Sequence, residues 1–198
     1  LSPRAMVELQ QLCDKVPSFP SDLAFATICE ELNVNSVGEV FSEITPEPVA
    51  AASLGQVYKA TLRSTGDEVA VKVQRPFVLE TVSLDLYLAR QLGIGLRNFA
   101  PSFVTDRLDV IDLLDEFAGR FYGELDYVLE CENGERVRED MRNLPRVLIP
   151  KNYPEVTTRR VHVAEWVDGE KLSQSTADDV AELVNLGVVT YLTQLLDT

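Results

Sequence analysis

The chain has 198 residues, of which 45% are hydrophobic and 25% charged, and it contains three cysteines and one histidine. This composition is typical of a folded globular protein and excludes low-complexity chains and disulfide scaffolds. With 18 basic and 32 acidic residues the net charge is −14, and no basic stripe is present, so we expect no nucleic-acid partner.

The first part of the chain is predicted to be helical. Apolar residues at helical spacing follow Ser2 and Pro3, which are a suitable cap and first-turn pair. Two prolines, Pro17 and Pro20, interrupt this pattern. A second helix is predicted from about Ser21.

A β-hairpin is predicted next. After a proline-containing loop at 45–48, β-rich runs at 57–62 and 68–73 are separated by a Thr-Gly-Asp turn. In the second run, alternation places three valines on one face and Ala70 and Lys72 on the other. One lysine therefore stands beside a small residue, on the face opposite an apolar core.

The rest of the chain is predicted to contain helices and one strand. Helical patterns cover 79–98 and 103–142, and a final helix is predicted at 178–196. An alternating run at 161–167 predicts a strand. Its histidine, His162, is expected to be a satisfied structural or edge-strand residue. A single histidine disfavours a catalytic triad and a His-rich metal site, so no metal site is predicted.

The acidic excess is concentrated in one segment. Twelve acidic and four basic residues lie between positions 106 and 140. Such a run usually forms a solvated helical face, and that is one interpretation here. The alternative is that some of these carboxylates face a cation or a metal-bound nucleotide.

The hairpin and the segment before it have the order of a kinase nucleotide site. In kinases a glycine-rich loop, G-x-G-x-x-G-x-V, covers the phosphates, and a lysine on the following strand contacts them. Here the same frame reads Ala50-x-Ala52-x-x-Gly55-x-Val57, so alanine replaces two of the glycines. Lys72 takes the place of the lysine.

These motifs resemble the UbiB family of atypical protein-kinase-like proteins, also called aarF-domain or ADCK proteins, which carries an alanine-rich loop. The resemblance covers the whole chain. It rests on Ala-Ala-Ala-Ser-Leu-Gly-Gln-Val at 50–57, Val-Ala-Val-Lys-Val-Gln-Arg-Pro at 69–76 and Glu-Leu-Asp-Tyr at 124–127. The segments at 13–20 and 168–175 resemble the plant and algal plastid branch.

The resemblance implies roles for individual residues and ATP with Mg²⁺ as the cofactor. Lys72 would bind the phosphates, and Glu130 would be its helix partner. Glu124 and Asp126 would be E-x-D acids that face the nucleotide and interact with a K-x-G-Q motif. The other residues implied to surround the nucleotide belong to the loop, the strand and the hinge, where Ala164 would be the gatekeeper and Asp168 would lie near the ribose: Ala50, Ala51, Ala52, Ser53, Gly55, Val57, Ala70, Ala164, Glu165, Val167 and Asp168.

Several of these residues also have a plainer interpretation. Lys72 could be a solvated strand lysine, and Glu130 could be one more acid on a solvated helix. The alanines at 50–52 could begin a helix, since alanine is the best helix former. Trp166 is expected to pack in the core or the hinge.

The two alanines are expected to change how the loop holds a nucleotide. Glycine permits positive φ and lets backbone N–H groups approach phosphate oxygens, and alanine removes part of this freedom. We therefore expect an unusual nucleotide pose. Such a pose would limit phosphoryl transfer to proteins and favour ATP hydrolysis or transfer to a small or lipid molecule.

The implied fold is α+β: a kinase-like small lobe with an antiparallel sheet and inserted helices. A helical N-terminal extension is expected at 1–45, the small lobe at 46–167, and the hinge with the first helix of an incomplete large lobe at 168–198. The catalytic-loop Asp and Asn and the D-F-G aspartate do not occur in the chain, and the K-x-G-Q motif is expected before Leu1. The chain is therefore expected to be an excerpt that does not turn over by itself.

Two functions of different class follow. The resemblance implies an atypical kinase or ATPase of isoprenoid-quinone or prenyl-lipid metabolism, located in the chloroplast at plastoglobules, with nucleotide and prenyl lipids or a lipid-body surface as partners. The alternative is a catalytically inactive pseudokinase that binds and regulates lipids or proteins. A third interpretation, an interaction module without a nucleotide site, predicts that Lys72→Ala leaves nucleotide-induced stabilisation unchanged.

Overall fold

The computed structural model describes residues 17–99, 110–169 and 180–196, and these residues form five α-helices and a five-stranded sheet. The first predicted helix, the start of the predicted acidic helix and the start of the last one lie outside the described residues. So do the cysteine at position 13 and the segment 170–179.

The elements follow one another in this order along the chain. The helices are α1 (Ser21–Leu32), α2 (Val78–Phe99), α3 (Val110–Glu124), α4 (Tyr127–Asp140) and α5 (Val180–Leu196). The strands are β1 (Phe41–Ile44), β2 (Ala50–Ala51), β3 (Gly55–Leu62), β4 (Glu68–Gln74) and β5 (Val161–Glu165). Short 3₁₀ turns lie at Val37–Glu39 and Pro154–Val156.

The sheet is antiparallel, with the strand order β1-β3-β4-β5. β2 pairs with β3 on the same edge as β1, since Ile44 lies opposite Ala60 and Ala50 lies opposite Val57. The predicted hairpin is β3–β4. β4 is central, so its residues have partners on both sides, and the position of Lys72 is fixed by Val57 on β3 and by His162 on β5.

One face of the sheet forms the hydrophobic core together with α1. The three valines of β4 that alternation places on one face are completely buried there, and the aromatic rings of Phe25 and Tyr58 lie 5.2 Å apart between helix and sheet. The remaining core residues come from α1, the segment before it, the other strands and the residue before the second 3₁₀ turn: Phe19, Ala24, Ile28, Phe41, Ala60, Leu62, Tyr153, Val161 and Val163. The opposite face of the sheet carries Lys72.

A buried glutamine joins the segment before α1 to this core. Gln56 Oε1 accepts a hydrogen bond from the backbone N–H of Phe19 at 3.0 Å, and its Nε2 donates to the carbonyl of Phe19 at 3.1 Å. Nε2 also donates to the hydroxyl of Tyr58, which in turn donates to Ser21 Oγ at 3.1 Å. A completely buried amide is thereby satisfied, as burial of a polar group requires.

The acidic segment forms two helices instead of the single predicted one. α3 packs on α2 through the ion pair of Arg90 and Asp115 at 2.9 Å and the hydrogen bond from Tyr122 to Ser83. The chain turns at Leu125 before α4 begins. None of the helices in the described ranges is long and apolar enough to cross a membrane.

Candidate functional site

Lys72 and Glu130 meet on the face of the sheet that α1 does not cover. The Nζ of Lys72 donates to Oε2 of Glu130 at 2.6 Å and to Oε1 at 2.8 Å. The pair joins central strand β4 to the first turn of α4, and the two side chains are 31% and 41% exposed. Lys72 is therefore a paired lysine at an open surface, and the interpretation as a freely solvated strand lysine does not hold.

Tyr127 lies beneath this ion pair. The Nζ of Lys72 is 4.5 Å from the centre of the tyrosine ring, a distance at which the ring face attracts a cation. The ring is completely buried, and its hydroxyl has no hydrogen-bond partner among the described residues. Burial, and secondarily the carboxylate of Glu130, raises the pKa of Tyr127, so the phenol stays neutral.

Gly55 is the one glycine kept from the glycine-rich frame, and the space around it explains why. A Cβ added there would lie 2.5 Å from the carbonyl oxygen of Val73 and 2.8 Å from the hydroxyl of Tyr127. Gly55 has no positive φ, so the residue is required for the close approach of neighbouring chain, not for its backbone angles.

The alanine-rich segment is a strand followed by a tight turn. Ala50 and Ala51 pair with β3, and the N–H of Ala52 donates to the carbonyl of Gly55 at 2.8 Å. The interpretation of this segment as a helix start is therefore wrong. Among the described residues positive φ occurs at Asn33, Gly66, Phe77 and Arg146, so the turn is built without the left-handed conformation that glycine favours.

His162 lies beside the ion pair, because it is opposite Lys72 in the register of β4 and β5. Its Nδ1 is 3.8 Å from Oε1 of Glu130, and its Nε2 donates to Oδ1 of Asn152 at 2.8 Å. Burial lowers the pKa of His162, the nearby lysine lowers it further, and the glutamate acts in the opposite direction. The ring is hydrogen-bonded on an edge strand, which fits the structural or edge-strand histidine that the sequence predicted.

Small side chains lie next to Lys72 on the same face of the sheet. Ala70 lies opposite Ala164 in the strand register, and both are partly exposed. Trp166 follows β5 directly, at the predicted hinge, and Lys59 lies over its ring at 5.2 Å. The tryptophan Nε1 donates to Asp168 at 2.8 Å.

Two further hinge residues were predicted to present backbone groups to a ligand. The N–H of Glu165 already donates to the carbonyl of Lys151 at 2.7 Å. The carbonyl of Glu165 is therefore the backbone group that could bind a ligand. Val167 is 46% exposed. Their binding roles stay a prediction.

The E-x-D acids flank the turn between α3 and α4. Asp126 is the N-cap of α4, and its Oδ1 accepts a hydrogen bond from the N–H of Val128 at 3.1 Å. Glu124 is exposed at the end of α3. Asp126 therefore has a structural role that orients the helix carrying Glu130, and the predicted role of the two acids toward a nucleotide stays a prediction.

Gln74 and Arg75 are site residues that the sequence analysis missed. The Nε2 of Gln74 donates to the carbonyl of Leu125 at 2.9 Å, which fixes the turn before α4 to the end of β4. The guanidinium of Arg75 donates to the carbonyls of Ala52 and Ser53 in the alanine-rich turn, residues 52–55. They lie two and three positions after Lys72 in the same motif, and no periodic pattern marks such long-range contacts.

The residues present fit a nucleotide phosphate. The ammonium of Lys72 has three donors, of which Glu130 uses two, and it stands at a partly exposed surface next to small side chains. In the described part of the chain no three His, Cys, Asp or Glu side chains come together as metal ligands. A magnesium ion at such a site would depend on the phosphates of the nucleotide for much of its coordination.

Comparisons with known proteins agree with the predicted resemblance. A family model described as ABC1 atypical kinase-like domain matches residues 11–198. The chloroplastic protein ACTIVITY OF BC1 COMPLEX KINASE 3 of Arabidopsis thaliana is 44% identical over 98% of this chain and 28% of its own length. Protein sll0005 of Synechocystis is 42% identical over 96% of this chain and 28% of its own length.

A solved structure shares the fold. It is described as the complex structure of Rv3197-erythromycin from Mycobacterium tuberculosis and matches with a TM-score of 0.67 at 30% identity, covering 80% of this chain and 38% of that chain. The predicted kinase-like fold with an antiparallel sheet is thereby confirmed. The chain spans little more than a quarter of the length of the curated relatives named above.

Proposed function

Because this chain belongs to the ABC1 atypical kinase-like domain family, we propose that it forms the nucleotide-binding small lobe of an atypical kinase or ATPase. The observation that carries the proposal is the ion pair of Lys72 and Glu130, which joins the central strand to a helix at an open face. Kinases use such a pair to hold the lysine against the phosphates of ATP.

The proposed site binds ATP with its base between strands and hinge and its phosphates toward Lys72. Val57, Ala70 and Ala164 lie on the same face as the lysine, since they are its direct or next-but-one partners in the register. Small side chains leave room for a flat base. Bound Mg²⁺ would neutralise charge on the phosphates, and the lysine would orient them.

The reaction proposed for the whole protein is ATP hydrolysis or phosphoryl transfer to a small or lipid molecule in isoprenoid-quinone or prenyl-lipid metabolism. The alanine-rich turn supports this choice, since it differs from the glycine-rich loop of protein-directed kinases. Relatives described as chloroplastic support a plastid location, with plastoglobules as the proposed site. Prenyl lipids or a lipid-body surface are the proposed partners.

The test compares nucleotide binding by the full-length protein and two variants. Titration calorimetry and thermal unfolding with MgATP are measured for the wild type, Lys72→Ala and Arg90→Ala. The last variant is a matched control, because it also removes an ion pair between two elements, 2.9 Å long, but on α2 and α3. We expect MgATP at a hundred times its Kd to stabilise the wild type by about 2.7 kcal/mol.

The result expected for Lys72→Ala is the loss of most of this stabilisation, while Arg90→Ala keeps it. Equal stabilisation of the wild type and Lys72→Ala would contradict the proposed site. Binding by the wild type without any ATP hydrolysis or transfer would contradict the enzyme and favour the regulatory pseudokinase.

A further inference from the structure

Arg75 binds three consecutive carbonyl groups of the alanine-rich turn. Its Nε donates to the carbonyl of Ser53 at 3.2 Å, and its Nη2 donates to that of Ala52 at 3.2 Å. Its own backbone N–H donates to the carbonyl of Leu54 at 2.8 Å. Three consecutive peptide oxygens are therefore turned toward one residue.

The guanidinium of Arg75 is also held in place by the segment before α1. Its Nη2 donates to the carbonyl of Pro17 at 2.8 Å, and its central carbon lies 5.4 Å from the centre of the Phe19 ring. The backbone of Phe19 is in turn held on both sides by the buried amide of Gln56. Arg75 therefore connects the turn to the core-side segment before α1.

The guanidinium of Arg75 and the ammonium of Lys72 lie on opposite faces of the sheet. Phe19 belongs to the core cluster, which lies on the face of β4 that carries the three buried valines. Lys72 lies on the other face, beneath which α4 supplies Glu130. Since the oxygens of Ala52 and Ser53 accept hydrogen bonds from this guanidinium, their peptide planes are oriented relative to the site.

In a trans peptide the N–H points away from the preceding C=O, because both lie in one plane on opposite sides of the bond. Fixing the carbonyls of Ala52 and Ser53 toward Arg75 therefore directs the N–H groups of Ser53 and Leu54 toward the side of Lys72. In the described ranges these two N–H groups donate to no other acceptor. Backbone N–H groups presented together in this way form an anion site.

We propose that Arg75 is a positioning residue, which orients the alanine-rich turn so that the N–H groups of Ser53 and Leu54 bind nucleotide phosphate. The side chain thus replaces the conformational freedom that glycine supplies in a glycine-rich loop. This inference rests on the proposed nucleotide site. It adds Arg75 as the residue that determines how the alanine-rich turn binds phosphate.

The experiment measures the affinities of the full-length protein for MgATP, MgADP and adenosine by titration calorimetry. It uses the wild type, Arg75→Ala, Arg75→Lys and the control Arg63→Ala. Arg63 also donates to a backbone carbonyl, that of Gly38 at 2.8 Å, but at the other end of β3. Thermal unfolding of each variant is recorded alongside.

We expect Arg75→Ala to weaken the affinity for MgATP and MgADP about tenfold or more, which is the effect of losing a hydrogen bond to a charged group. The affinity for adenosine should stay within about twofold of the wild-type value. A change confined to ligands with phosphates is one that general destabilisation would not cause. Arg75→Lys should lie between, because an ammonium cannot hold several carbonyls in one plane. Arg63→Ala should bind like the wild type.

One result would overturn the inference while leaving the proposed function intact. It is a wild-type ratio of MgATP to adenosine affinity in Arg75→Ala, whether both affinities are unchanged or both fall by the same factor. If Arg75→Ala does not fold, Arg75→Lys decides by the same ratio. A wild type that binds none of the three ligands would overturn the proposed function and this inference together.

Discussion

His162 lies next to the candidate site, and the protonation of its ring depends on pH. The ring lies mostly buried between Asn152 and the ion pair of Lys72 and Glu130, and this burial lowers its pKa. The unfolded chain therefore binds this proton more readily than the folded chain does. Because the folded form favours the neutral ring, stability is fully present above about pH 6.5 and decreases as the pH falls through that value.

We expect the ring signals of His162 to titrate below pH 6.5 in a proton NMR experiment. The signal of His162 is identified by its absence from the spectrum of His162→Asn. The free energy of unfolding between pH 7.5 and pH 5 should fall less steeply in His162→Asn than in the wild type. A titration at or above pH 6.5 would show that the attraction of Glu130 outweighs burial.

Individual residues also show what a sequence can and cannot predict. Lys72 and Glu130 were predicted as partners because the motifs resemble a known family, and the structure brings them together across 58 positions. Gln56 had a readable signal, since alternation places a polar residue on the apolar face of β3. Arg75 had none, because its partners lie far away in the chain and are backbone carbonyls, which carry no sequence identity.

At the scale of elements, Asp126 controls where α4 begins. Its carboxylate accepts the N–H of Val128 at 3.1 Å and lies near the positive end of the helix. We expect Asp126→Ala to lower the free energy of unfolding by about 1 kcal/mol in urea titrations, whereas Asp126→Asn retains most of it, since asparagine is an equally good cap. Asp85→Ala, at an exposed position within α2, is the control.

The same variants separate the cap from the predicted E-x-D role. Asp126→Asn keeps the hydrogen bond and removes the charge. A lower MgATP affinity at unchanged stability would therefore report the carboxylate acting at the nucleotide. If Asp126→Ala is as stable as the wild type, the capping argument is wrong.

Elements were predicted where their own pattern was strong. β3 and β4 alternate clearly, and α2 was found within one residue of its predicted ends. β1 and β2 were missed because they are four and two residues long, and they form by pairing with β3 rather than through their own pattern. The break before α4 was missed since the acidic pattern continues through it, while the turn is held by distant Gln74.

For the whole molecule, the core extends across the first predicted segment boundary, at 45/46. Ile28 of α1 is completely buried against the valines of β4, and Phe41 packs in the same cluster. The ion pairs of Arg160 with Glu30 and Glu31, each 2.7 Å long, add further links between α1 and the end of the sheet. The predicted three-part division stays a prediction, but α1 and the sheet share one hydrophobic core.

Helix α1 and the sheet should therefore unfold together. Truncating Ile28 to Ala removes a completely buried side chain from the shared core, and we expect it to lower the free energy of unfolding by about 2–5 kcal/mol. Leu23→Ala, in the same helix but 45% exposed, should cost less than about 1 kcal/mol.

Urea unfolding followed by far-ultraviolet circular dichroism and by the fluorescence of Trp166 measures both variants. Coincident transitions that shift together in Ile28→Ala are expected, because the helix covers the sheet that leads into the tryptophan. A dichroism transition that precedes an unshifted fluorescence transition would show instead that α1 separates from a sheet stable without it.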